Sequence, residues 1–111
     1  VRIFNPATRR YVDSVGVLDT GSTVTVIPES LVRHLRLRQT GYNPLRGVTG
    51  SRTQTPLYLA RLEVAGVLFD IIEVAGMNFP HILLGRDILN QFDITLRGKA
   101  EVCELTASEV A

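Results

Sequence analysis

Asp19 stands where an apolar run, residues 15–18, meets a hydroxyl, a glycine and a second hydroxyl: Thr20, Gly21 and Ser22. The run reads as a buried strand, and Gly21 is expected to turn the chain sharply beyond the acid by entering positive φ. The carboxylate would then sit at the rigid end of a core strand. Burial there is costly unless amides and hydroxyls satisfy the charge, and the next three residues carry such groups. A carboxylate fixed in this way is suited to proton transfer. The plain alternative is a strand-end Asx-turn. Other candidates for chemistry are few. Cys103 is the single cysteine, with no histidine in an evident pairing motif, and reads as an inert, partly buried side chain. His34 and His81 are too few for a typical zinc cluster, and no metal or other cofactor is expected.

A second landmark lies far downstream. Ile82, Leu83, Leu84, Gly85, Arg86, Asp87, Ile88 and Leu89 form an apolar run broken by Gly-Arg-Asp. Asp-Thr-Gly-Ser after two apolar residues resembles the active-site motif of aspartic proteases. The Leu-Leu-Gly-Arg-Asp segment resembles the one that retropepsins, the single-domain retroviral-type members, carry near their C-terminus. The resemblance extends over about residues 12–96 and includes the spacing of the two motifs.

The elements that must position these motifs read mainly as strands. Residues 1–4 and 11–18 are expected as two strands joined through Asn5-Pro6-Ala7-Thr8, with Arg9 and Arg10 starting the return. Residues 24–27 form the next strand, and Pro28 with Glu29 opens a short helix to about Leu35. Residues 36–62 read as a long hairpin whose glycine-rich tip, Gly47-Val48-Thr49-Gly50-Ser51, should be mobile. A second hairpin turns at Ala65-Gly66 and extends to residue 75, followed by a loop over 76–80. Residues 81–84 read as a buried strand, 86–92 as a short helix, 93–96 as a strand and 101–105 as a last strand. Residues 106–111 are expected to fray. Strand, glycine loop and helix occur twice, at 17–35 and 82–92. The fold class is mostly β, a closed or partly closed barrel with one or two short helices.

With 111 residues, the chain is expected to be one domain. Aromatic residues make up only 6% and Trp is absent, so the core should be aliphatic and favour strands. All but one of its twelve basic residues are arginines, but the formal charge is only +1. Arg33, Arg36 and Arg38 crowd one stretch with no interleaved aromatic residue and read as a solvated helix face, so a nucleic-acid partner through these with Arg46 and Arg52 is not expected. No signal peptide or span of about 20 apolar residues is present, and no membrane contact is expected of this segment. A single cysteine is compatible with a reducing compartment. The sequence starts at Val1 without an initiating Met and is expected to be an excerpt of a longer protein.

Peptide hydrolysis by the aspartic route uses two carboxylates that share one proton. The chain has one Asp-Thr-Gly; Asp13 has the wrong spacing, and Asp70, Asp87 and Asp93 lack the glycine turn. Catalysis would therefore require a C2 homodimer with Asp19 and its symmetry mate on the axis. The resemblance implies the same: a half-enzyme subunit, an extended polypeptide as substrate, no cofactor, and Thr20 bonding across the axis. It also implies terminal strands that interleave beneath the site, with residues 1–4 and a strand within 101–105 as candidates. By position, Val26, Phe79, His81 and Leu83 line subsites, and Val48, Thr49 and Gly50 form a flap. His81 reads either as a solvated loop residue or as a charge that reshapes one subsite at low pH. Leu84, Gly85, Arg86 and Asp87 form a structural second loop. Ser22 is expected to donate to Asp19 and favour an acidic optimum. Thr23 stands where many retroviral enzymes have an aspartate paired with the arginine of the second motif. A catalytically idle dimerisation or peptide-binding module on the same scaffold is the other reading.

Overall fold

A computed structural model of the chain describes residues 1–46 and 52–107. In chain order the elements are β1 (Arg2–Phe4), β2 (Tyr11–Asp13), β3 (Gly16–Leu18), β4 (Val26–Pro28), α1 (Glu29–Leu35), β5 (Gln39–Arg46) and β6 (Arg52–Val64). They continue with β7 (Val67–Met77), β8 (Ile82–Leu84), α2 (Arg86–Leu89), β9 (Phe92–Arg97), a 3₁₀ turn (Gly98–Ala100) and β10 (Val102–Ala107). Eight strands make one sheet in the order β2-β1-β6-β7-β4-β8-β3, with β5 also paired to β6. β9 and β10 form a separate two-stranded sheet.

The aliphatic core follows from strand alternation. Ala60, Leu62 and Val64 point to one face of β6 and are buried, and Ile3 lies opposite both Leu62 and Val12. Ile3, Ile27, Leu62, Val74, Ile82 and Ile88 have almost no exposed surface. Each such side chain contributes about 1.5–3 kcal/mol by leaving water. Val32 and Leu35 of α1 and Ile88 and Leu89 of α2 close the same cluster. Both helices thus pack onto the core, and α2 follows the Gly85 loop directly.

Several elements differ from the sequence reading, each for a tertiary reason. The strand expected over 11–18 is two strands. Ser14 exchanges backbone hydrogen bonds with Val1, after which the chain leaves β1 and pairs in parallel with β8, as the Ile82 amide donates to Val15. Gly16 sits at this switch; a Cβ there would lie 2.5 Å from Val1 Cγ2. The strand expected over 24–27 begins at Val26, because Ser22, Thr23 and Thr25 are bonded to the second loop. The second helix ends at Leu89, since Phe92 turns inward to pack on Phe69, ring centres 6.2 Å apart. The last strand is longer than expected, with Thr106 opposite Asp93 and Ala107 opposite Phe92, so neither belongs to a frayed tail. The turn at Ala65-Gly66 is as expected, with φ of 48° and 79° in a two-residue β-hairpin loop.

Residues 1–4 are not a free terminal strand. β1 is hydrogen-bonded to β2 on one edge and to β6 on the other, and therefore has no edge left to interleave with another chain. Nor is the Asn5 turn a plain surface turn. Buried Asn5 donates from Nδ2 to the carbonyls of Leu35 and Arg36, at 2.8 and 3.2 Å, while its Oδ1 accepts from the amides of Ala7 and Thr8. One amide side chain thus joins the hairpin to the C-terminal end of α1, where Arg36 adopts a left-handed cap.

Candidate active site

Asp19 follows β3 directly, and its amide donates to the Leu84 carbonyl at 3.0 Å, the last residue of β8. The parallel β3–β8 pair therefore delivers the Asp19 loop and the Gly85 loop side by side. The Gly21 amide donates to Asp19 Oδ1 at 3.0 Å, and the Ser22 amide to the Asp19 carbonyl. Gly21 does not have the positive φ expected of it; among the described glycines only Gly66 does. Its glycine is explained by proximity, because a Cβ would stand 3.3 Å from Asp19 Oδ1. The Ser22 hydroxyl does not donate to Asp19 either. It is taken by the Val24 carbonyl at 2.6 Å, so it tightens the loop rather than favouring the charge on the acid.

The two loops interlock through Thr25, which is fully buried. Its hydroxyl accepts from the Gly85 amide at 3.1 Å and donates to Asp87 Oδ1 at 2.7 Å, while its own amide donates to Asp87 Oδ2 at 3.1 Å. From the other side, the Arg86 amide reaches the Ser22 carbonyl at 2.8 Å and the Asp87 amide reaches that of Thr23. Gly85 has no room for a side chain: a Cβ would be 2.7 and 2.8 Å from the Val24 carbonyl carbon and oxygen. Asp87 thus holds the first loop through Thr25. Arg86 makes no ion pair among the described residues, consistent with Thr23 standing at the expected acidic position.

Beside Asp19 opens a cleft of about 190 Å³ lined by Ser22, Thr23, Val24, Val26, Thr55, Ala75, Met77 and Leu83. Val26 and Leu83 were expected there; Thr23, Val24, Thr55, Ala75 and Met77 were not. Ala75 and Met77 reach it because β7 runs parallel to β4, with Ala75 opposite Val26, a pairing between distant strands that residue types do not signal. Phe79 and His81 are exposed, stand edge to face at 6.5 Å and are not in this lining. Thr20 is exposed beside the acid. Val48, Thr49 and Gly50 lie outside the described residues, although the β5–β6 pairing continues to Arg46 opposite Arg52 on either side of them. Among the described residues, no group of three or more His, Cys, Asp or Glu could hold a metal ion.

Residues 13–91, which contain both loops, match the family described as "gag-polyprotein putative aspartyl protease". The chain belongs to this retropepsin-like family. Its mostly β fold agrees: EIAV protease complexed with the inhibitor HBY-793 superposes with a TM-score of 0.57 at 23% identity, over 81% of this chain and 83% of that one. No curated protein matches. As a retropepsin-like chain it places its motif aspartate at the cleft and its Gly-Arg-Asp segment directly behind.

Proposed function

We propose that this retropepsin-like chain is an aspartic endopeptidase that cleaves extended polypeptides as a C2 homodimer. The observation that carries the reading is the position of Asp19, half-buried on a loop braced from behind and bordering a largely apolar cleft. One carboxylate per chain supplies half of the chemistry. In the dimer, Asp19 and its symmetry mate share one proton, since two adjacent carboxylates do not both stay ionised. The ionised member takes a proton from water, whose oxygen attacks the scissile carbonyl carbon, while the protonated member donates to the carbonyl oxygen. Collapse of the tetrahedral intermediate returns a proton to the departing amine and breaks the C–N bond. Thr20 of each chain bonds across the axis. Val26 and Leu83 receive apolar side chains, and residues 48–50, with Phe79 and His81, border the bound peptide, which is held by added-strand hydrogen bonding.

The dyad needs its single proton, so activity falls as pH rises through the upper of its two macroscopic pKa values. An acidic optimum is thus expected from the shared proton, without help from Ser22. The test is cleavage of an unfolded protein substrate from about pH 3 to about pH 8, with Asp19→Asn expected to reduce the rate at least ~100-fold. Pepstatin should block the wild-type rate, and specific activity should rise with enzyme concentration. Equal cleavage by Asp19→Asn would refute the assignment. A dimeric wild-type chain without activity would indicate the idle binding module instead.

A further inference from the structure

The arginines around α1 do not lie on one helix face. α1 ends at Leu35, Arg36 takes the left-handed cap and Arg38 lies beyond it, with buried Leu37 between two exposed guanidinium side chains. The turn after β1 docks against this segment. Asn5 holds the Leu35 and Arg36 carbonyls, while its own amide and carbonyl bond to the Arg10 carbonyl and the Arg9 amide, each at 2.9 Å. One side-chain amide thus joins two basic segments 30 positions apart. The helix end does not account for these cations, because its carbonyls are already taken: those of Leu35 and Arg36 by Asn5, those of Val32 and Arg33 by the Leu37 and Arg36 amides.

Arg36 and Arg38 line a hollow of about 210 Å³ with Asn5, Pro6, Ala7 and Leu59, and no carboxylate lines it. The ion pairs among the described residues engage Arg2, Arg33, Arg61 and Arg97, and none reaches Arg9, Arg10, Arg36 or Arg38. The neighbouring acids are engaged elsewhere. Glu29 faces Arg33 at 3.8 Å, Asp13 is held by Arg2, and Glu73, opposite Leu59, accepts from the Thr40 hydroxyl. A chain with a formal charge of only +1 therefore gathers four uncompensated guanidinium groups in one place. Aromatic rings flank the same turn. Phe4 precedes Asn5 and Tyr11 follows Arg10, with ring centres 5.5 Å apart; Tyr11 is 52% exposed and already stacks a planar cation, Arg2, at 4.3 Å. Guanidinium forks match phosphate oxygens, and an exposed ring accepts a nucleobase. An acidic peptide would use the arginines but not the ring.

We infer that the Asn5 turn and the end of α1 together form a docking surface for single-stranded nucleic acid, with phosphates on Arg36, Arg38 and the Arg9-Arg10 turn and a base on Tyr11. Two grounds for expecting no such partner do not carry over to the fold: the arginines stand off the helix, and aromatic residues adjoin them once the turn is docked. No residue of this surface lines the Asp19 cleft, so its test is independent of the protease reading. The experiment is fluorescence anisotropy of an oligouridine of about 12 nucleotides with the Asp19→Asn chain, from about 50 to about 200 mM salt. With three or four phosphates held, log Kobs should fall against log salt with a slope of about −2 to −3. Replacing both Arg36→Gln and Arg38→Gln should weaken binding at least ~10-fold and flatten the slope by about 1.4, whereas Arg36→Lys with Arg38→Lys should keep the slope. Lys99→Gln, an exposed cation elsewhere, should change affinity less than about 2-fold. Tyr11→Leu should weaken binding ~5-fold or more at an unchanged slope. A Kd weaker than ~1 mM at the lowest salt, or equal weakening by Lys99→Gln, would overturn the proposal. So would an unaffected Tyr11→Leu chain, or displacement of the oligouridine by an equal concentration of polyglutamate, either of which would assign the surface to an acidic protein.

Discussion

The two glycine loops and the C-terminal hairpin divide the molecule's work in opposite ways. In the loops no buried side-chain polar atom among the described residues lacks a partner, Thr25 is bonded on both sides, and Gly85 leaves no room for a Cβ against the Val24 backbone. In the hairpin the only buried anchor is at the base, and the apolar side opens outward. One region is finished within the chain, and the other is not. A single subunit can thus brace the loop that carries its carboxylate without help from the hairpin.

The contrast is most sharply tested at Gly85. Gly85→Ala places a methyl against backbone that cannot swing away, and a loss of about 3 kcal/mol or more is expected in urea unfolding. If the loss is below ~1 kcal/mol, the loops are not interlocked as described. Next comes Thr25→Val, which keeps shape but leaves the Gly85 amide without its acceptor and Asp87 Oδ1 with only the Ile88 amide, with an expected cost of about 2 kcal/mol, mostly recovered in Thr25→Ser. The hairpin should respond in the reverse manner. Leu96→Ala in dilute Asp19→Asn chain should alter monomer stability by no more than about 0.5 kcal/mol. The smallest effect is expected at Asp13, whose carboxyl is held below its ordinary value by the Arg2 hydrogen bond, against slight desolvation. A depressed carboxylate stabilises above its unfolded pKa and loses that contribution as pH falls through the folded one. The melting temperatures of wild type and Asp13→Asn should therefore differ slightly at neutral pH and converge in acid.

What could be read from residue order was whatever has a local cause. The Asp19 and Gly85 loops are each announced by a glycine next to an apolar strand, and the Ala65-Gly66 turn by its own dihedral demands. Long-range partners carry no such mark. Nothing in residues 11–18 tells that Val1 will capture Ser14 and split the strand, or that Asn5 will be claimed by the end of α1. Thr25 looked like one polar position of an alternating strand, yet it is the link between the loops. Gly21 was rightly placed for the wrong reason, as the constraint is the nearby carboxylate oxygen rather than φ. The hydroxyl of Ser22 goes to the Val24 carbonyl, and sequence cannot rank that acceptor against the Asp19 carboxylate.

The Thr25 link also bears on the order in which the protein is assembled. Its two halves are separated by 60 and 62 positions, whereas the β6–β7 turn closes across two residues. Contacts so distant along the chain demand loop closure before they yield any stabilisation, and so they form slowly. A chain still emerging from synthesis, with β8 not yet made, has no seat for Asp19. The seat of Asp19 is in this way assembled only after β8 has been made.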